Sequence, residues 1–322
     1  MMLFRTQLFK RPLSLCARYK SNVSSLTPLP GLDLSHERLR RAVFYVPCSD
    51  ERKILKSHTS RADCIMFDLE DGVSFNRKSH ARSLVLQALA ESPAGERGVR
   101  INALASGLGL DDLATIVQST QLDVIMVPKV ESAQDVHDVV RVIEEAKKEV
   151  RVIAGIETAK GVVNVREIAE AHPFVDALLF AAEDYCADTG ITRTPSRQEL
   201  YYARSVVATT AHAYKLQAID MVTMDFRNPQ ILEEEAKEGA EMGFTGKQVI
   251  HPSQVDIVQE RFAPPKEAVD RAIRIVSGYH THYEAGKGAF DLDGKAIDMP
   301  VVKWAYRVLR RAELAGINVD ST

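Results

Sequence analysis

Short apolar runs recur along the chain, each closed by a polar or charged residue and followed by a stretch of helical periodicity. The runs are AVFYV (42–46), ADCIMF (62–67), GVRI (98–101), DVIMV (123–127), VIAGI (152–156) and DALLFA (176–181), with QAIDMV (217–222) and KQVIH (247–251) weaker. Continuous Val/Ile/Leu runs of this length read as strands buried on both faces. Between them, residues 132–150 carry Val136, Val139, Val140 and Ile143 on one helical face. Ser196, with Glu199 three residues on, reads as a capping box ahead of a stripe of Leu200, Ala203 and Val207. Further helices are expected over 76–90 and over 231–242, the latter before Gly243.

Eight strand–helix alternations predict an α/β fold whose parallel sheet closes into a TIM (β/α)8 barrel, with a doubly wound sheet as the alternative. Spacing favours the barrel. Arg100, Lys129, Glu157 and Asp184 each read as a strand end, at intervals of 29, 28 and 27 residues. Even spacing suits a ring in which each unit packs like its neighbour. Barrel active sites sit at the C-terminal ends of the strands. The polar residues collect there: Glu70 and Asp71, Arg100 and Asn102, Lys129, Glu157, Asp184 and His251. The barrel is expected over 36–255 and a C-terminal extension over 256–322. That extension holds a helix over 265–284, a turn with Gly286 and Gly288, a short segment over 290–297 and a last helix over 301–314.

At 322 residues, 45% hydrophobic and 26% charged, the chain has room for one such barrel and its extension. No apolar run approaches the ~18–20 residues that span a bilayer, so no membrane association is expected. A net charge of -3 with dispersed Arg and Lys gives no electrostatic case for nucleic acid. Cys16, Cys48, Cys64 and Cys186 are too far apart for a CxxC motif and read as free thiols of a reducing compartment. The N-terminus changes this picture in one respect. Before the first acidic residue, Asp33, stand Arg5, Lys10, Arg11, Arg18 and Lys20, and Leu3, Phe4, Leu8 and Phe9 can share one helical face. An acid-free, Arg-bearing, Ser-rich N-terminus predicts a mitochondrial transit peptide, and residues 1–30 are expected outside the fold.

The chemistry starts from Glu157 and Asp184, which close two successive buried runs. Two hard oxygen ligands, with the other positions left to water and substrate, is how proteins commonly hold magnesium, and manganese fits the same set. Glu183 adjoins Asp184 and is the alternative ligand; alternation along a strand would turn only one of them inward. Arg100 offers a permanently charged fork suited to a carboxylate or a developing oxyanion, or to a structural ion pair with Glu70 or Asp71. Asp68, Glu70 and Asp71 read either as partners orienting Arg100 and metal-bound water, or as anions ahead of the next helix. His251 stands at the expected mouth, where it can meet substrate or serve structure. The stretch GAEMGFTGKQ fails the phosphate-loop pattern, and Gly243 and Gly246 read as a helix C-cap and a strand-entry turn.

These motifs together resemble the citrate lyase β-subunit family within the metal-dependent aldolases. The resemblance is carried by RAVFYVP (41–47), FDLEDGV (67–73), VRIN (99–102), MVPKVES (126–132), IETAKGVVN (156–164), AAEDY (181–185), GFTGKQVIHPSQ (243–254) and GKAIDMP (294–300), in order along the chain. With the N-terminal signal, it is nearest the mitochondrial branch. It implies a magnesium-dependent lyase that cleaves citramalyl-CoA to pyruvate and acetyl-CoA, with malate synthase side activity, in the mitochondrial matrix. It further implies Glu157 and Asp184 as magnesium ligands and Arg100 at the thioester and substrate. Tyr45, Arg52, Lys56, Ile250 and His251 would contact the CoA thioester, with Glu70 and Asp71 behind them. Asp298 would be the acid/base, reaching into the site of a neighbouring subunit of a homotrimer. Cys48 departs from the family's glycine after the first strand, a strain if that turn needs positive φ. A malyl-CoA lyase, a CoA-independent keto-acid aldolase and a non-catalytic CoA-binding subunit are the alternatives.

Overall fold

The structure, a computed structural model, describes residues 29–92, 95–284 and 288–319. The expected transit segment lies outside the described residues up to position 28, as does Gly286. Eight strands form the centre: β1 Ala42–Pro47, β2 Cys64–Asp68, β3 Glu96–Arg100, β4 Val124–Val127, β5 Arg151–Ile156, β6 Val175–Phe180, β7 Gln217–Asp220 and β8 Gly246–Val249. They close into a barrel in sequence order, every pair parallel, with β8 joined to β1 through Val43↔Gln248. The closed barrel of the expectation is therefore present, with each strand within two residues of its expected ends.

Alternation along the strands explains why the apolar runs are continuous. Val43, Tyr45, Cys64, Met66, Val124, Met126, Ile153, Ala177, Leu179 and Ile219 fill the barrel interior. Their neighbours along the strands face outward into a larger core beneath the helices. The helices are α1 Glu51–Ser57, α2 Lys78–Glu91, α3 Gly109–Ile116, α4 Ala133–Glu145, α5 Ala159–Val163, α6 Val165–Glu170, α7 Ala182–Thr189, α8 Tyr201–Ala213, α9 Pro229–Glu241 and α10 Val255–Phe262. The floor of the barrel is closed by Arg40, fully buried, which donates to Glu96 at the start of β3, Asp176 on β6 and Gln217 on β7.

Two helix boundaries differ from the expectation. Helix α4 stops at Glu145 because Lys147 turns left-handed (φ 54°), and the next N–H, of Lys148, bonds back to the Ile143 carbonyl. That is a Schellman ending made without glycine. Ser196 does not cap α8. Arg197 is left-handed (φ 54°) and is anchored to Glu238, while the Glu199 carboxylate accepts from the Thr194 N–H and hydroxyl. A short 3-10 turn follows, and α8 starts at Tyr201.

The tail consists of α11 Lys266–Glu284, the antiparallel hairpin β9 Phe290–Leu292 with β10 Lys295–Ile297, and α12 Met299–Leu314. It builds a second core of Val269, Ile275, Val276, Ile297, Val302, Tyr306 and Leu309, joined by Leu29 from before the barrel. Helix α10 packs with the barrel core instead, through Val255, Val258 and Phe262. No helix among the described residues is long and apolar enough to cross a membrane.

Candidate active site

The site is built at the C-terminal mouth. Asp68 and Arg100 are paired residues at the ends of β2 and β3, both on the inward parity. Arg100 therefore donates to Asp68 in a fork, Nε to Oδ1 and Nη2 to Oδ2, each at 2.7 Å. The same carboxylate accepts the N–H groups of Glu70 (2.9 Å) and Gly72 (2.8 Å). A Cβ at Gly72 would stand 2.5 Å from Asp68 Oδ2, so the turn depends on glycine. Burial alone would raise the Asp68 pKa; the Arg100 charge and these donors outweigh it and hold it below its ordinary value. Arg100 also lies 4.7 Å from the centre of the Tyr45 ring and 3.1 Å from Glu70 Oε2. Its chief partner is thus Asp68, with Glu70 second and Asp71 at 3.9 Å.

Facing this pair is a ring of carboxylates around Lys129. The Lys129 ammonium is 2.7 Å from Glu70, 3.1 Å from Asp184, 3.6 Å from Glu157 and 3.9 Å from Asp71. Burial opposes its charge, and Glu70, Glu157 and Asp184 outweigh that, raising its pKa. Glu157 follows β5 and is 1% exposed, yet neither of its oxygens has a hydrogen-bond partner. Burial, then the charges of Glu70 and Asp184, push its pKa up to about 8. Gly155 makes room for it, since a Cβ there would stand 2.7 Å from Glu157 Oε1.

Asp184 reaches the ring from a helix, which corrects the strand-based choice between it and Glu183. Strand β6 ends at Phe180, and both acids lie in the first turn of α7. Rotation around that turn sends Asp184 to Lys129 and Glu183 to Arg193, which also holds Glu235 and the Val222 carbonyl. Likewise Lys129 lies two residues past β4 rather than at its end, in the left-handed region at φ 51°. Non-glycine residues held in this region carry strain and concentrate at functional sites.

The remaining expected residues spread out. Tyr45 is inside the barrel under Arg100, 7% exposed, with an unpartnered hydroxyl and a pKa raised by burial. Arg52 and Lys56, by contrast, are exposed one turn apart on α1. The N–H groups of Ile250 and His251 are both taken by Gln254, and His251 caps a short turn and stacks on Phe226 at 4.8 Å. Asn102 donates to Asp112 and serves structure. Asp298 is the exposed N-cap of α12, accepting from the Val301 N–H at 3.4 Å; among the described residues no hydrogen bond or ion pair joins it to the mouth. Cys48 is buried and outside the positive-φ region, so replacing glycine there brings no strain. Sequence reasoning placed Lys129 at the mouth without seeing it as the hub. Its register with Arg100, Glu157 and Asp184 was the signal.

The donor set fits a hard divalent cation. Glu157 presents two buried oxygens without a hydrogen bond, and Asp184 shares the Lys129 ammonium with it. With two carboxylates from the protein, water and substrate would complete the shell, as magnesium sites commonly require.

A closed parallel barrel whose C-terminal mouth gathers acids, an anchored arginine and a lysine has the architecture of an α/β-barrel enzyme. The model of the HpcH/HpaI aldolase/citrate lyase family matches residues 41–252, from the start of β1 to the end of the mouth, and the chain belongs to that family. It is 38% identical over 318 residues to the mitochondrial citramalyl-CoA lyase of Homo sapiens, covering 92% of this chain and 93% of that protein. The citrate lyase subunit beta of Escherichia coli (strain K12) is 35% identical, covering 88% of this chain and 96% of that one. Among solved structures, the protein CitE of Mycobacterium tuberculosis in complex with magnesium, acetoacetate and coenzyme A superposes with a TM-score of 0.71. It is 31% identical, covering 84% of this chain and 97% of that one.

Proposed function

We propose that this chain is a magnesium-dependent lyase that cleaves (3S)-citramalyl-CoA to pyruvate and acetyl-CoA. The observation that carries the reading is a buried carboxylate whose two oxygens make no hydrogen bond, Glu157, at the same mouth as an arginine already locked in place by Asp68. The relative at 38% identity is named for this activity, and a solved relative holds magnesium and coenzyme A.

Glu157 and Asp184 would hold the ion. Bound there, magnesium supplies positive charge for the substrate's carboxylate and lowers the pKa of the adjoining hydroxyl. Glu70, through a water, takes that hydroxyl proton. The oxygen's electrons form the pyruvate carbonyl as the C–C bond breaks, and the bond pair passes into the thioester as the enolate of acetyl-CoA. Arg100 stabilises the enolate oxygen, a contribution of roughly 3–4 kcal/mol by analogy with oxyanion holes. Its fork to Asp68 fixes the guanidinium before substrate arrives, so little reorganisation is needed. Asp298 of a neighbouring subunit in a homotrimer protonates the enolate carbon, which accounts for an acid left exposed on the tail of the single chain. In reverse, with glyoxylate, the same proton traffic gives malyl-CoA; attack of water on its thioester carbon, with CoA as the leaving thiol, would complete a malate synthase side reaction. Arg52 and Lys56 pair with phosphates of CoA, Tyr45 and the Ile250–His251 turn line its reacting end, and Asp71 adds charge at the rim. Manganese suits the same oxygens. The acid-free N-terminus and the mitochondrial relative support residence in the mitochondrial matrix.

The test is release of pyruvate and acetyl-CoA from citramalyl-CoA by the purified chain, with magnesium or EDTA, for wild type and Asp298→Asn. Magnesium-dependent cleavage lost in the variant is the expected result. Cleavage of malyl-CoA alone would move the substrate by one methyl, a difference of roughly 1–3 kcal/mol in the pocket. No cleavage of either overturns the reading.

A further inference from the structure

The ammonium of Lys129 is the cation that Glu70, Glu157 and Asp184 share, within 2.7 to 3.6 Å of each. Two of those acids are the ones proposed to hold the metal. A group standing 3.1 Å from Asp184 and 3.6 Å from Glu157 lies where a second positive charge between them must repel it. The position is built in. Lys129 is held left-handed (φ 51°) directly after a proline, and the next residue, Val130, fixes its N–H to the Gly155 carbonyl of the neighbouring strand. The side chain is about one-third exposed, so it has open space to turn toward.

We propose that Lys129 is a positioning residue that competes with the divalent ion: its ammonium neutralises the carboxylate ring in the metal-free protein and swings away from Glu157 and Asp184, toward Glu70 and Asp71, when the ion binds. The acids then never face one another uncompensated, and the metal affinity is set by the ion's gain over a resident lysine. This rests on the reading of Glu157 and Asp184 as ligands.

The experiment measures binding rather than turnover. Manganese affinity is read by electron paramagnetic resonance and magnesium affinity by calorimetry, without substrate and at one fixed pH for every variant. Wild type, Lys129→Met, Lys129→Arg and Glu157→Gln are compared, with melting temperatures in EDTA and in magnesium. In Lys129→Met the ion is expected to bind about tenfold tighter or more. Its EDTA melting temperature falls, and magnesium restores more than in wild type. Lys129→Arg keeps the charge and binds no tighter than wild type. Lys129→Gln substitutes for the Met variant if that one fails to fold. Unchanged or weaker binding in the neutral variants, with wild-type binding intact and lost in Glu157→Gln, overturns the competition alone. Wild-type binding that survives Glu157→Gln overturns the ligand assignment and the competition with it.

Discussion

Glu157 gives the sharpest quantitative consequence. Burial and the neighbouring acids raise its pKa from 4.5 to about 8 in the metal-free protein. At pH 7 about one molecule in ten then carries the ionised carboxylate a metal needs, so the apparent affinity is about tenfold below that of the ionised site, a difference of about 1.4 kcal/mol. Metal binding near neutrality must release close to one proton per site, and affinity must climb roughly tenfold per pH unit from about pH 6 until it levels above about pH 8. Calorimetry in two buffers of different ionisation enthalpy reads the proton directly. Glu157→Gln is the control, abolishing both binding and release. A flat affinity across this range, or binding without proton release, would refute the claim that desolvation governs this carboxylate.

The same shift fixes a trend in stability. The folded chain keeps the Glu157 proton between about pH 4.5 and pH 8, where the unfolded chain has lost it. The folded state binds more protons in that window, so this group's contribution to stability declines as pH rises through it and levels above. The loss is on the order of a few kcal/mol. Magnesium should abolish the trend, because it stabilises the charged form. Urea unfolding in EDTA and in magnesium, with Glu157→Gln as baseline, checks the sign.

Other perturbations test the frame around the site. Gly155→Ala puts a Cβ 2.7 Å from Glu157 Oε1 and 2.8 Å from Met126 Cε, and is expected to weaken magnesium binding and cost about 1–3 kcal/mol of stability by urea titration. Arg40→Met leaves Glu96 without its buried partner, while Asp176 keeps Arg38 at 2.8 Å, a loss of about 3 kcal/mol, and the folded fraction should keep its metal affinity. Mixing Asp298→Asn with Glu157→Gln, each inactive alone, should restore cleavage in mixed oligomers if the tail acid acts across subunits. A mixture that stays inactive places Asp298 outside that role.

The barrel was legible because its strands are buried on both faces. Runs such as VIAGI and DALLFA need no tertiary context to read as parallel strands, whereas of the four evenly spaced residues only Arg100 ends a strand, and Asp184 lies in the first turn of α7. Less legible was everything set by local backbone geometry. Lys147 and Arg197 adopt left-handed conformations that glycine usually marks, so the end of α4 and the start of α8 were misjudged. The pairing of Glu183 with Arg193 and of Asp184 with Lys129 depends on the helix beginning at Ala182 rather than on strand alternation. Arg40 gave no signal at all. Its partners Glu96, Asp176 and Gln217 are 56 to 177 residues distant and meet only when the ring closes.

Burial of charge does not by itself locate the site. Several buried ionic clusters run through this barrel among the described residues. At the floor, Arg40 spends its donors on Glu96, Asp176 and Gln217. Between sheet and helices, Arg204 forks onto Asp220, and Lys247 reaches Glu235 and the Met221 carbonyl. These clusters are closed: donors meet acceptors, and the gain is rigidity in a ring whose strands would otherwise carry uncompensated charge. At the mouth the logic is inverted. Asp68 is saturated by Arg100 and two backbone N–H groups, whereas Glu157, equally buried, makes no hydrogen bond and has only the Lys129 ammonium at 3.6 Å. Desolvating a carboxylate without hydrogen bonds is costly, and a ligand that completes its shell repays that cost. The saturated pair supplies a fixed positive charge and the unsaturated acid supplies the demand for another. That contrast, two residues at the same end of neighbouring regions of one barrel, is what marks the mouth as the place where chemistry occurs.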